Sequence, residues 1–300
     1  MTPLECKLCP RRCGAVRTEH SGSGLCRSGT NLKIGRAAPH FWEEPPISGT
    51  RGSGAVFFSG CSLGCVYCQN YDLARGKIGR EVSEDGLRRI FARLIEAGCH
   101  NINLVTASHY APAVARALRA EKLPVPVVWN SGGYESPETL KMLEGLVDIY
   151  LPDFKYALSA PAARYSAAPD YPQVARAAIR EMFRQTGPCN INDEGLMTRG
   201  VIIRHLVLPG NMPNTRAVLR WISRTFLPGD VLLSLMSQYT PCGDIEGFPE
   251  LGRRLSPEEY GKAMALLDEF GIDEGFFQEL SSASEEYTPP FDLTGLEGII

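Results

Sequence analysis

FFSGCSLGCVYCQNYD spans residues 57–72 and sets three cysteines, Cys61, Cys65 and Cys68, in a C-x3-C-x2-C run. An apolar segment of strand length, residues 55–58, leads straight into it. Three cysteines in one loop are an incomplete ligand set for most metals. A structural zinc takes four ligands, and this loop supplies three. Three thiolates at such short spacing suit three irons of a [4Fe–4S] cluster, with the fourth iron left open.

Upstream, residues 1–50 are rich in Cys, Gly, Pro and Arg and show no clear periodicity. That composition does not build a core by itself and needs a staple or a larger neighbour. It reads as a Cys-rich N-terminal metal-binding extension, with residues 51–300 as the main domain. Cys6, Cys9, Cys13 and Cys26 run as C-x2-C-x3-C-x12-C within it. They are a second candidate metal site: zinc fits as a folding staple, an auxiliary iron–sulfur cluster also fits, and His20 is a substitute ligand.

Downstream, apolar segments of strand length alternate with amphipathic segments of helix length. Residues 83–98 predict a helix, because Leu87, Ile90, Phe91, Leu94 and Ile95 recur at helical spacing. Ser83 can cap it, Glu84 and Asp85 suit its positive end, and Gly98 can close it. Strands follow at 101–106, 124–130, 147–155, 200–210 and 230–239. Helical patterns lie between and after them, ending with 256–271. About six β–α units imply a parallel sheet with right-handed crossovers. Periodicity alone fits an open doubly wound sheet or a partial barrel.

In both architectures ligands gather at the carboxyl ends of the strands. The polar residues cluster there: the cysteine loop, Thr106 to His109, Asn130 to Gly133, Asp153 with Lys155, and Gln238 with Tyr239. The glycine-rich ISGTRGSG precedes its strand, whereas a dinucleotide fingerprint must follow one, so it reads as a turn.

Composition narrows the setting. The formal net charge of -3 over 300 residues gives no basic field for nucleic acid. No apolar run approaches the roughly 20 residues of a membrane span. The start, MTPLECKLCPRRC, lacks the pattern of a secretion signal. A cytoplasmic location is therefore expected, where the 10 cysteines stay reduced and clustered ones read as metal ligands.

Cys61, Cys65, Tyr67 and Cys68 match C-x3-C-x-aromatic-C, the signature of the radical S-adenosylmethionine superfamily, at every position. CKLCPRRCG, VVWNSGGYE, DIYLPDFKY, IRHLVLPGN and LMSQY further resemble the uncharacterised iron–sulfur proteins related to pyruvate formate-lyase activating enzyme. The match runs over about residues 6 to 270. This resemblance implies a partial (β/α)6 barrel. It implies a [4Fe–4S] cluster on Cys61, Cys65 and Cys68 whose open iron chelates S-adenosylmethionine. Reductive cleavage there gives a 5'-deoxyadenosyl radical that takes hydrogen from a substrate. A flavodoxin- or ferredoxin-type electron donor is implied with it.

The resemblance also implies roles. Tyr67 would lie beside the adenine. Thr106 to Ser108 stands where the family has Gly-Gly-Glu against the methionine amino group. This chain departs by having no glutamate, so hydroxyls and carbonyls would hold that group. Asn130 and Ser131 would meet ribose or carboxylate oxygens. Asp153 and Lys155 match an Asp-x-Lys segment near cofactor and substrate and are the candidate catalytic pair, although in isolation they read as a surface pair. Arg204 lies in a strand whose facing is open. His109 could cap a helix or line the cavity, His100 and His205 read as structural, and Cys99, Cys189 and Cys242 as ordinary thiols.

Two substrate classes stay open: a protein or peptide, as for the activating enzymes, or a small metabolite. A metal-stapled adaptor without catalysis is a third reading, which the intact cysteine trio with Tyr67 opposes. Residues 159–193 are the candidate lid or docking surface.

Overall fold

The computed structural model describes residues 5–282 and 288–299. Ten strands form one sheet: β1 (Leu32–His40), β2 (Ser53–Phe58), β3 (Arg80–Val82), β4 (Ile102–Val105), β5 (Val127–Ser131), β6 (Ile149–Pro152), β7 (Asn190–Ile191), β8 (Met197–Leu206), β9 (Leu232–Met236) and β10 (Gly275–Phe277). Spatial order is β10-β9-β8-β6-β5-β4-β2-β1-β3, with β7 flanking β8. The run from β2 to β10 is parallel throughout. Its strands follow one another in chain order, without the reversal that a doubly wound sheet requires. Right-handed crossovers then place successive helices on one face, leaving the other to line a lumen. The sheet is an open one, with β3 and β10 at its edges.

Nine α-helices accompany it among the described residues: α1 (Pro45–Ser48), α2 (Tyr71–Ala74), α3 (Glu84–Glu96), α4 (Ala111–Ala120), α5 (Pro137–Lys141), α6 (Ser159–Ser166), α7 (Tyr171–Thr186), α8 (Met212–Thr225) and α9 (Pro257–Phe270). The long ones form where the apolar spacing demands it. In α3, Ser83 Oγ accepts from Gly86 N at 3.0 Å, and Leu87, Ile90, Phe91 and Leu94 are buried. Truncating Phe91 would remove about 3–5 kcal/mol. In α9, Ser256 and Glu259 complete a capping box. Residues 159–193 hold α6 and α7, and α7 packs through Ala175, Ala178, Ile179 and Met182. They form a crossover rather than a detached lid.

Strand alternation sorts the side chains. Val56, Phe58, Leu104, Trp129, Tyr150, Ile203 and Leu233 join the helix-side core. Val128, Ile149, Leu151, Ile202 and Leu232 belong to a separate inner cluster closed by Ile47 of α1. Above that apolar floor the inner face turns polar, through Asn103, Asn130, Arg204 and Ser234.

Two expectations are corrected. The non-periodic stretch to residue 50 contains β1, which pairs antiparallel with both β2 and β3. LKIGRAAPH alternates too weakly to be seen, because Gly35, Arg36 and Pro39 interrupt it. Six parallel strands were expected, and β10 makes a seventh, short and half-buried.

Candidate active site

Gly60 and Gly64 adopt φ of 93° and 64° and let the chain turn out of β2 into the cysteine loop. A side chain on Gly64 would press on Arg75, whose guanidinium donates to the Gly64 carbonyl at 3.1 Å. The loop is held from three sides. Val66 N donates to Tyr165 O at 2.9 Å. Asp244 N donates to Val66 O at 2.7 Å, and Cys242 Sγ contacts Tyr67 O at 3.4 Å. Arg11, from the N-terminal cysteine segment, donates to Ser62 O at 3.0 Å, Leu63 O at 3.2 Å and Ser166 O at 2.8 Å.

Cys61, Cys65 and Cys68 line one cavity of about 180 Å³ at the carboxyl ends of the strands, together with Tyr67, Thr106, Asn130, Ser131, Asp153, Lys155 and Arg204. Cys61 Sγ accepts from Leu63 N at 3.4 Å and Cys65 Sγ from Ser166 Oγ at 2.9 Å. Burial raises the Cys65 thiol, and Lys155 offsets only part of that rise. Burial also pushes the Cys68 thiol upward. A metal centre would displace those protons. Among the described residues no three His, Cys, Asp or Glu side chains are gathered tightly enough to hold one ion. A cubane gives each thiolate its own iron, so a shared cavity, N–H···S and O–H···S donors and a nearby cation fit the cluster.

Tyr67 is buried, accepts from Tyr156 Oη at 2.8 Å, and packs edge-on to Tyr165 and Tyr239. Thr106 lines the cavity in a left-handed conformation, φ 61°, which is strained for a β-branched residue. Its N–H donates to Asn130 O at 2.8 Å. Gly133 is fixed as glycine, since any side chain there would strike the Asp153 carbonyl.

Asp153 and Lys155 face the cavity, while Phe154 turns to the helix side against Trp221 at 4.9 Å. The pair is not a surface pair. Lys155 Nζ donates to Asp153 Oδ2 at 2.6 Å, and each side chain is under one-fifth exposed. Arg204 faces inward too. Its Nε donates to Asp153 Oδ1 at 3.0 Å, Nη1 to Glu43 Oε2 at 3.1 Å and Nη2 to Asn130 Oδ1 at 2.5 Å. Asn130 and Asn103 donate to Glu43 Oε1 at 3.0 and 2.9 Å. Burial would raise Asp153, but Lys155 and Arg204 outweigh it and hold the carboxyl below its ordinary range. Burial would lower Lys155, but Asp153, with Cys65 and Cys68, outweighs it and raises the ammonium.

Several expected cofactor contacts are therefore spoken for. The Asn130 amide serves Glu43 and Arg204. The Ser108 hydroxyl donates to buried Glu135, and Ser108 does not line the cavity. Ser131 Oγ donates to Glu135 Oε2 at 3.2 Å, and Trp129 Nε1 donates to Glu135 Oε1 at 2.9 Å. Glu135 was missed. It follows the Gly-Gly turn after β5, and a carboxylate at a strand's carboxyl end was the available signal. Glu43 and Glu44 were missed as well, because EEPP reads as linker.

The N-terminal cysteines form a second constellation. Cys6, Cys9, Cys13 and Cys26 line one small cavity with Arg17 and His109. His20 is elsewhere, exposed and paired with Glu81 at 2.8 Å. His109 sits in its place, with Nε2 on Ser59 O at 2.8 Å. Arg17 Nη1 donates to His109 O at 2.8 Å. His205 is structural, held between Phe154 O and Thr215 Oγ1.

Residues 48–150 match a family model described as a 4Fe-4S single cluster domain. That span contains Cys61, Cys65 and Cys68 and leaves out the N-terminal four. The chain is 27% identical over 277 residues to an uncharacterised protein of Methanocaldococcus jannaschii, covering 89% of this chain and 75% of that protein. A crystal structure of HydG, a maturase of the [FeFe]-hydrogenase, is similar with a TM-score of 0.49 at 14% identity. The similarity covers 76% of this chain and 52% of HydG, so the chain spans about half of HydG's length. No helix among the described residues is long and apolar enough to cross a membrane.

Proposed function

We propose that this chain is a radical S-adenosylmethionine enzyme of the activating-enzyme type, abstracting hydrogen from a protein or peptide. One observation carries the reading: the three-cysteine loop opens onto the same cavity as Thr106, Asp153, Lys155 and Arg204. Cys61, Cys65 and Cys68 would hold a [4Fe–4S] cluster. Bound there, the cluster supplies the electron that cleaves S-adenosylmethionine to a hydrogen-abstracting 5'-deoxyadenosyl radical. The chain's own part is binding, orientation and exclusion of water. Lys155 is a point charge for the methionine carboxylate. Asp153 is its partner in the free protein and can turn to the methionine ammonium. Thr106, held in a strained conformation, presents backbone in place of the missing glutamate. Tyr67, walled by Tyr165 and Tyr239, offers an apolar edge to the adenine.

A small metabolite is the second reading. A cavity of about 290 Å³ continues from the cysteine cavity into the lumen, sharing Asn70, Asn130, Arg204 and Gln238 with it, and suits a small ligand. The N-terminal four cysteines line one cavity without being drawn close enough to share one ion, so an auxiliary iron–sulfur cluster fits them better than zinc, and it would seat Arg11 on the cluster loop. A flavodoxin- or ferredoxin-type protein would supply electrons. The test is anaerobic reconstitution followed by assay of 5'-deoxyadenosine with dithionite. Wild type should turn over, and a Cys61→Ala, Cys65→Ala, Cys68→Ala variant should not. Product from that triple variant would overturn the assignment.

A further inference from the structure

The lumen cavity below the cysteines has a wall that the proposed chemistry does not use. Glu43, Glu44, Arg204 and His40 line it, beside Phe41 and Trp42. Three carboxyl groups, Glu43, Glu44 and Asp153, face two permanent cations, Arg204 and Lys155, across the joined cavities. The cations are committed. Arg204 gives its donors to Asp153, Glu43 and Asn130, and Lys155 gives its ammonium to Asp153. Both Glu43 oxygens are occupied.

Glu44 is left over. It is 8% exposed, and its Oε2 has no hydrogen-bond partner among the described residues. Burial raises its carboxyl and Glu43 adds to that, while Arg204 and Ser234 offset only part of it. A second atom in the same wall makes the same demand: Asn70 Oδ1 is buried without a donor. Both orphans are acceptors, so the missing group is a donor. Phe41 and Trp42 line the same cavity and are about half exposed, at 55% and 52%. A carboxylate among aromatic rings is the environment that takes an organic cation.

We propose that the lumen is the substrate subsite for an organic cation, an amine or guanidinium, whose charged head meets Glu44 while its body reaches toward the cysteine cavity. The inference rests on the radical-enzyme reading for its chemistry but not for its binding. The cation can belong to a free metabolite or to a Lys or Arg side chain of a peptide. The charge and the aromatic walls are common to both.

The test is calorimetric titration of the reconstituted full chain with pentylamine, pentylguanidine, uncharged pentan-1-ol, and the peptides Gly-Lys-Gly and Gly-Arg-Gly. At least one cation should bind and pentan-1-ol should not. Glu44→Gln, which keeps the volume, should weaken the cation about tenfold. Phe41→Ala, at the exposed rim, should weaken it severalfold and guards against a folding defect at Glu44. Tighter binding of the free cations than of the peptides supports a metabolite, and the reverse supports a side chain. Equal heats from pentylamine and pentan-1-ol, or unchanged affinity in both variants, overturns the proposal. Cleavage of S-adenosylmethionine is read separately. Cleavage without cation binding sinks this inference alone, and cation binding without cleavage sinks only the radical-enzyme reading.

Discussion

Arg204 and Asp153 meet across the β6–β8 edge, Nε donating to Oδ1 at 3.0 Å, with both side chains 14% exposed. Two charges so placed have left bulk water, and each depends on the other. Removing Arg204 leaves Glu43 buried without a cation and Asp153 with Lys155 alone, at a cost of about 3–5 kcal/mol. Arg204→Met should therefore lower the free energy of unfolding by that amount in urea. Arg216→Met, which breaks the exposed pair with Glu269, should change it by about 0–1 kcal/mol. Equal effects would place Arg204 in solvent.

Asp153→Asn tests the other half. Lys155 then keeps its charge with a weaker partner and stays available to a carboxylate. S-adenosylmethionine should bind less tightly or be cleaved without productive coupling, while the visible spectrum of the reconstituted cluster is unchanged. Wild-type affinity together with wild-type cleavage would confine the pair to a structural role.

How much of this was legible in the sequence follows from how local each signal is. The cysteine loop was readable because its three sulfurs lie within one turn of chain and need no tertiary partner. The strand carrying Asp153 was readable because alternation alone puts Asp153 and Lys155 on one face and Phe154 on the other. Arg204 was not readable, since an Arg within an apolar strand faces inward only if carboxylates wait there. Those carboxylates, Asp153 and Glu43, are 51 and 161 residues away. Strand β1 escaped because a register shift between Ile34 and Arg36 breaks its alternation, so that Leu32, Ile34 and Ala37 reach the core out of period. The replacement of His20 by His109 beside the N-terminal cysteines is likewise tertiary, set by where residues 108–110 pack against β2.

Arg11 links the two cysteine constellations. It donates to loop carbonyls at Ser62 and Leu63 and stacks over Tyr134 at 5.3 Å from the ring centroid. Arg11→Ala should leave the three cluster cysteines intact yet speed iron loss from the reconstituted protein on exposure to a chelator. Cys6→Ser with Cys9→Ser should do the same if the N-terminal metal seats Arg11. Metal analysis of that double variant should fall by one zinc, or by about four irons for a cluster. Unchanged metal content would remove the staple, and unchanged chelation kinetics in Arg11→Ala would remove the link.

His205 supplies a pH test away from the cysteines. The ring is buried, its Nδ1–H donates to Phe154 O at 2.8 Å, and Nε2 lies 3.0 Å from Thr215 Oγ1. Burial lowers its pKa from 6.5 to about 4. The folded chain thus holds this ring neutral where the unfolded chain protonates it. Unfolding takes up a proton between those values, so stability is full above about 6.5 and falls as pH drops toward about 4. The ring's share is roughly 3 kcal/mol at its limit. His40 and His109 are lowered to about 4 as well, chiefly by burial, so the wild-type slope is steeper than one proton. His205→Gln keeps an N–H for the Phe154 carbonyl and removes the titrating group. Urea midpoints of this variant should start lower at neutral pH and then fall less steeply than wild type through the acid range. Parallel slopes for the two proteins would mean that His205 is already protonated, or open to solvent, in the folded chain.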